Sequence, residues 1–120
     1  MIIDKIIYVD EVAKEAILLV KTKQTVIRCF SCPCVLKQGT VIETPLECID
    51  TKKVSLCDNK YVVQKKEKFW EYKFQAKLIN REEGLVEVNG LFIHIDVYEI
   101  PNDIVDGMYI CFETSRLDIW

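Results

Sequence analysis

The chain has 120 residues, of which half are hydrophobic and 29% are charged, a composition that excludes long disorder and suits a globular domain with one core. Its net charge of −3, with 13 lysines but only three arginines, excludes a general electrostatic attraction to nucleic acids or anionic membranes. The longest apolar run, residues 16–20, is far shorter than the roughly 20 residues of a membrane-spanning helix. We therefore expect a single domain over residues 1–120 that does not enter a membrane.

The first residues, Met-Ile-Ile-Asp-Lys, contain no basic segment followed by an apolar core and a small-residue cleavage site. We therefore expect no secretory signal and a cytoplasmic location. In that compartment the six cysteines are expected to be reduced.

The N-terminal part of the chain is predicted to form three strands. A β-branched segment over residues 2–9 predicts the first strand, and Asp10 can cap a short turn where no apolar stripe supports a longer helix. Residues 16–21 and 25–31 are predicted to pair around a polar turn at residues 22–24. One face of the third strand would then carry Val26, Arg28 and Phe30, and the other Thr25, Ile27 and Cys29.

Proline and polar turns divide the middle of the chain into short pieces. Cys32-Pro33-Cys34 ends the third strand, because proline cannot donate a ladder hydrogen bond. Residues 41–49 predict one short strand, which Pro45 places at an edge or a bulge. Residues 54–57 and 61–64 predict a hairpin, followed by a solvated connection at residues 65–68.

A β-meander from Phe69 onward has the clearest pattern. Residues 72–79 alternate between apolar and polar side chains, as in a half-buried antiparallel strand. Val88-Asn89-Gly90-Leu91 predicts a type I′ hairpin, since both central residues must take φ > 0, and its register places Val86 opposite Ile93. One face is predicted to carry Val86, Val88, Leu91, Ile93, Ile95 and Val97, and the other Glu87, Phe92, His94 and Asp96.

The C-terminal residues predict a loop at 101–107, a strand at 108–114 and an apolar terminus, Leu117, Ile119 and Trp120, docked on the core. In total about seven to nine short strands at spacings of 8–12 residues are predicted, the pattern of an all-β barrel or sandwich. The favoured fold is a small OB-like antiparallel β-barrel of meander and hairpins, because closure removes exposed strand edges.

A resemblance to OB-fold domains rests on residues 72–112, which contain a strand, the hairpin Leu-Val-Glu-Val-Asn-Gly-Leu-Phe-Ile and the segment Ile-Val-Asp-Gly-Met-Tyr-Ile. The segment resembles the last part of such domains, where Gly-Asp-x-Val often precedes the closing strand and this chain has Asp106-Gly107-Met108. The chain is also similar to short bacterial proteins of unknown function that end in a strand followed by Ser-Arg-Leu-Asp-Ile. The resemblance implies a binding fold that brings no inherited chemistry.

The cysteines allow three interpretations. Cys29, Cys32 and Cys34 contain a C-x-x-C spacing, and Cys48, Cys57 and His94 could complete a tetrahedral zinc site. A redox pair within Cys29, Cys32 and Cys34 is the second interpretation. Buried structural cysteines are favoured, because Cys29 lies on a strand face and no second well-spaced pair follows. We therefore predict no metal site and no cofactor.

The sequence argues against an enzyme. Nucleophilic catalysis needs a nucleophile beside a base, and the only histidine, His94, is predicted to be an exposed strand residue near Asp96. Phosphate-binding loops, nucleophile elbows and zinc-binding helices are missing from the sequence.

Two kinds of partner are consistent with a binding role. A protein partner is favoured, because one core is not expected to hold Phe92, Tyr109 and Trp120 together and exposed aromatics with a polar rim suit interfaces. The alternative is single-stranded nucleic acid, bound by Phe92, Lys73, Lys77 and His94 and extended by Lys60, Lys65, Lys66 and Lys68. Against this, solvated strand faces often carry lysine, and the C-terminal residues could cover Phe92.

Overall fold

The computed structural model describes residues 1–119, which form eleven strands and one short 3₁₀ turn. Alternating apolar residues and polar turns define strands of three to nine residues. The strands are β1 (Ile2–Asp10), β2 (Glu15–Lys21), β3 (Val26–Ser31), β4 (Leu46–Ile49), β5 (Lys52–Leu56), β6 (Val62–Lys65), β7 (Tyr72–Asn80), β8 (Leu85–Val88), β9 (Leu91–His94), β10 (Tyr109–Thr114) and β11 (Arg116–Asp118). The 3₁₀ turn covers Val97–Glu99. The predicted all-β class is confirmed.

One sheet contains every strand, in the order β1-β2-β3-β11-β4-β9-β8-β7-β10-β5, with β6 paired to β7. Two pairs, β3 with β11 and β4 with β9, are parallel, and the other pairs are antiparallel. Within residues 1–119 the end strands β1 and β5 do not pair, so the predicted barrel closure is not observed. A loop covers part of the β1 edge instead, since Ile3 donates to Thr40 O and Gly39 donates to Ile3 O.

The inner face of this sheet is the core, and strict alternation creates it. In β7 the inward residues Tyr72, Phe74, Ala76 and Leu78 are buried, whereas Lys73, Gln75 and Lys77 remain partly exposed. The predicted hairpin register is confirmed, since Val88 pairs with Leu91 and Val86 with Ile93. Val97, predicted to continue the inward face, belongs to the 3₁₀ turn and is half-buried.

The predicted hairpin of residues 54–57 and 61–64 is wrong. Both strands exist, but β5 pairs with β10 and β6 pairs with β7. The reason is the length of β7, which has nine residues while β8 has four. β8 therefore pairs only with the second half of β7, and the first half is free to bind β6.

The single strand predicted over residues 41–49, at an edge or a bulge, is not observed, since Val41 forms an isolated bridge with Ile2 of β1 and only Leu46–Ile49 form a strand. β4 begins just after Pro45 and lies between β11 and β9, so the proline interrupts no ladder. β11 enters the sheet because its residue Leu117 is buried, which confirms a docked C-terminal segment as far as Ile119. Trp120, part of the same prediction, lies outside the described residues.

The segment between β1 and β2 is a turn without a helix. The Asp10 carboxylate accepts hydrogen bonds from the backbone N–H groups of Val12 and Ala13, as the capping role predicted for it requires. No helix among residues 1–119 is long and apolar enough to cross a membrane.

Candidate binding surface

Lys77 and Phe92 lie in one row across the outer face of the sheet. Lys77 pairs with Glu87 on β8, and Glu87 pairs with Phe92 on β9. Phe92 is 41% exposed. The structure therefore places the two predicted residues on one face but puts a carboxylate between them. The other end of the row is Tyr109, whose ring packs on Tyr61 with centroids 5.4 Å apart.

Lys73 and His94, the other predicted site residues, face acidic neighbours. Lys73 lies opposite Glu113 on β10. His94 is half-buried, and its Nδ1 lies 3.0 Å from Glu47 Oε1 on the neighbouring strand β4. The predicted contact with Asp96 is replaced by this one, and Asp96 accepts a hydrogen bond from Tyr98 N.

The cysteines predicted as alternative zinc ligands point in different directions. Cys29 is buried in the core, where burial raises the pKa of its thiol, whereas Cys32 is exposed. Cys34 is buried beside the turn after β3. Among residues 1–119, no three His, Cys, Asp or Glu side chains come together as a possible metal site.

A different cluster stands out on the outer face, at the end of β7 where Tyr72 lies. It contains three aromatic rings in edge-to-face contact. Trp70 lies at its centre, 5.7 Å from the ring of Phe30 and 4.8 Å from that of Phe69, with interplanar angles of 86°. A guanidinium group covers each phenylalanine: Arg28 is 4.1 Å from the Phe69 centroid and Arg116 is 4.3 Å from that of Phe30. We call these five residues the aromatic–arginine surface.

Strand alternation and one loop bring this surface together. Arg28 and Phe30 share the outward face of β3 with Val26, as the predicted alternation of this strand requires. The loop before β7 crosses over β3, where Arg28 Nη1 donates to Phe69 O at 3.2 Å. The backbone N–H of Arg28 also donates to the Tyr72 hydroxyl at 2.9 Å. These contacts hold Phe69 and Trp70 against β3 instead of leaving them on a free loop.

Lys65 stabilises the same loop from its other side. Its ammonium group donates to the carbonyl oxygens of Lys66, Lys68 and Glu71. It also lies 5.5 Å from the centroid of the Tyr72 ring. Burial and the nearby charge of Arg28 lower the pKa of Lys65. Two cations are therefore held close together beside Phe69.

The two arginines of the surface differ in their partners. Arg116 forms a bidentate pair with Asp118, with Nε–Oδ1 and Nη2–Oδ2 distances of 2.5 and 2.7 Å. This pair raises the pKa of Arg116. Arg28 forms no ion pair within residues 1–119. The surface can thus stack on apolar or planar groups and still offer guanidinium donors at Arg28.

The sequence predictions did not include this surface. Phe69 was treated as the start of the meander, and Arg28 and Phe30 only as one face of a strand. The available signal was the adjacent pair Phe69-Trp70, which follows a lysine-rich connection. Its contacts with residues 28, 30 and 116 depend on long-range pairing that no local pattern encodes.

Comparison of the chain with known proteins identifies no relative. No protein-family model, curated protein or solved structure matches the chain.

Proposed function

We propose that this protein is a non-catalytic binding module that contacts a partner protein through the aromatic–arginine surface. The observation that carries the proposal is the fixed display of Phe69 by Arg28, with Trp70 packed between Phe69 and Phe30, since Trp and Arg are over-represented among residues that dominate binding energy. Phe69 is 45% exposed even though its backbone is held in place. A pre-organised aromatic group loses little conformational entropy when a partner covers it.

The test compares capture of partners from a lysate by the wild type, Phe69→Ala and Val12→Ala. Val12 is 97% exposed on the β1–β2 turn, is not one of the five residues of the surface, and controls for general apolar adhesion. We expect a protein retained by the wild type and by Val12→Ala but lost with Phe69→Ala. Equal capture by all three proteins would overturn the proposal.

Single-stranded nucleic acid is the second candidate, and a local excess of lysine favours it. Residues 52–77 contain eight lysines and three acidic residues, a net charge of +5, whereas the whole chain carries −3. This segment includes Lys73 and Lys77, and it ends next to the row that contains Phe92. Basic residues beside exposed aromatics are what non-specific single-strand binding uses.

Fluorescence anisotropy of labelled single-stranded DNA and RNA at about 50 and 200 mM salt tests this candidate. Binding that weakens with salt would support it, and two variants would locate the site. Loss with Phe92→Ala points to the predicted Lys73, Lys77 and Phe92 face, whereas loss with Phe69→Ala points to the aromatic–arginine surface. No binding at high micromolar protein excludes the candidate.

Two further proposals come from the sequence. An OB-like origin of the meander is supported by the hairpin at residues 85–94 and by the strand after Gly107. A cytoplasmic location is supported by the six free thiols, because disulfides are rare in reducing compartments. Neither proposal is needed for the binding role.

A further inference from the structure

Charge is distributed unevenly over the aromatic–arginine surface. At the Phe30 end, Asp118 neutralises Arg116. Next to the surface, Glu113 pairs with Lys66 and Lys53. At the Phe69 end, neither Arg28 nor Lys65 forms an ion pair with any of the described residues. Arg28 therefore places a cation without an ion pair directly beside the most exposed ring of the cluster, whereas Glu71 partly offsets the charge of Lys65.

Both of these cations are held in position. Arg28 is fixed by the ring and the carbonyl oxygen of Phe69, and Lys65 by three carbonyl oxygens and the face of Tyr72. All three protons of the Lys65 ammonium group have acceptors, so Lys65 contributes charge and no further donor. Arg28 uses one of its five N–H donors in the contact with Phe69 O. A carboxylate could accept the others in a bidentate arrangement.

Two adjacent like charges repel each other, and the geometry here prevents them from moving apart. An incoming carboxylate relieves this repulsion at no cost in side-chain ordering, because both cations are already immobilised. The exposed ring of Phe69 then offers an apolar contact directly beside the charge.

We propose, on the basis of the function proposed above, that the partner presents an acidic peptide segment, with an Asp or Glu bound at Arg28 and a neighbouring apolar side chain packed on Phe69. The arrangement of acidic groups favours a peptide over a nucleic acid. Glu47 and Asp118 pair across β4 and β11 on the same outer face. Because Asp118 already pairs with Arg116, the surface offers a single guanidinium without an ion pair, at Arg28. A peptide can place one carboxylate there and neutral residues elsewhere, whereas a continuous phosphate backbone requires several such cations.

The test uses a phage-displayed library of random 12-residue peptides, panned on the wild-type protein. We expect the selected peptides to be enriched in Asp or Glu next to an aromatic or aliphatic residue. Binding of a labelled selected peptide should weaken about tenfold or more with Arg28→Gln, because a charge-assisted hydrogen bond is lost. Arg28→Lys keeps the charge but loses the planar guanidinium group, so its affinity for the peptide should lie between those of the wild type and Arg28→Gln. Lys14→Gln, on the exposed β1–β2 turn, is the matched control and should bind like the wild type.

Other results would overturn the inference in distinguishable ways. The selected peptides could lack acidic enrichment, bind Arg28→Gln like the wild type and fail to bind Phe69→Ala. That result would overturn the acidic partner but leave the proposed function standing. Peptide binding that neither variant weakens would overturn both the acidic partner and the proposed function. Preferential binding of labelled oligothymidine would assign the surface to nucleic acid. Concentration-dependent association of the protein that Arg28→Gln abolishes would identify the occupant as a second copy of the chain.

Discussion

The β8–β9 hairpin and the aromatic–arginine surface are built in opposite ways. The hairpin is contiguous, and all four of its residue pairs lie within residues 85–94. The surface joins β3, the loop before β7 and β11, and its bond from Arg28 to Phe69 O links residues 41 positions apart. A local turn therefore specifies the first, whereas the second exists only after the long-range strand pairs have formed. Changes in the hairpin should act on stability, and changes in the surface should act on binding.

The largest expected effect is that of Ile93→Ala in the hairpin. Ile93 is fully buried on the inner face, so truncation removes apolar contacts and leaves a cavity. We expect the free energy of unfolding to fall by about 2–5 kcal/mol, measured by urea denaturation. Phe92→Ala, one position away on the outer face, is the control and should cost less than about 1 kcal/mol. Equal losses for both variants would contradict the assignment of faces.

Gly84→Ala should have the next largest effect, because it acts on the turn that precedes the hairpin. Gly84 has φ +70°, and a Cβ there would overlap the carbonyl oxygen of Ile95 and lie 2.9 Å from Val97 Cγ1. Left-handed strain plus this overlap should lower the free energy of unfolding by about 2–4 kcal/mol.

Gly39→Ala is the matched control for Gly84→Ala. Gly39 has φ +85°, but a Cβ there meets nothing within 4 Å. Gly39→Ala should therefore lower the free energy of unfolding only by the left-handed strain, about 1–2 kcal/mol. Equal effects at the two glycines in urea denaturation would mean that the contacts of Gly84 are unimportant.

Tyr72→Phe tests the connection between the core and the surface. The Tyr72 ring is buried, but its hydroxyl accepts the backbone N–H of Arg28 at 2.9 Å. Without this hydroxyl the backbone N–H of Arg28 loses its hydrogen-bond acceptor. We therefore expect the free energy of unfolding, measured by urea denaturation, to fall by about 1 kcal/mol. Tyr98→Phe removes a hydroxyl from a side chain that is 93% exposed and should leave stability unchanged. A similar loss for both variants would exclude a specific role for the bond to Arg28.

Sequence patterns were sufficient for the faces of β7 and for the β8–β9 hairpin. The alternation in residues 72–78 identified the inward face of β7, and Asn89-Gly90 fixed the hairpin register because both residues take positive φ, 49° and 83°. Periodicity alone determines which face a side chain occupies.

Partner choice over long distances was not predictable in this way. β5 and β6 look like a hairpin in the sequence, but β5 pairs with β10 and β6 pairs with the first half of β7. The same limitation hid the aromatic–arginine surface, since nothing local to Arg28 or Phe30 indicates that Phe69 and Trp70 will pack over them. The clustering of aromatic side chains around Trp70 is a tertiary property that no local pattern predicts.

The smallest expected effect concerns Glu113, an ion-pair residue next to the surface. Its carboxylate contacts the ammonium groups of Lys66 and Lys53, and the hydrogen bond from Lys66 lowers the pKa of Glu113. A carboxyl whose pKa is lower in the folded state stabilises the fold above its unfolded pKa, about 4.3, and this contribution disappears as pH falls through the folded value. Glu113→Gln should therefore be less stable than the wild type at pH 6–8, and the difference should shrink as pH falls below about 5.

The measurement is urea denaturation of the wild type and Glu113→Gln at several pH values between 3 and 8. Glu11→Gln, on the exposed β1–β2 turn, is the matched control for the loss of a surface carboxylate. Because the ion pairs of Glu113 lie outside the cluster, Glu113→Gln should also bind a selected peptide like the wild type. A pH-independent difference would show that Glu113 acts through packing. Lost binding would mean that the partner's contact area extends from the aromatic–arginine surface onto β10.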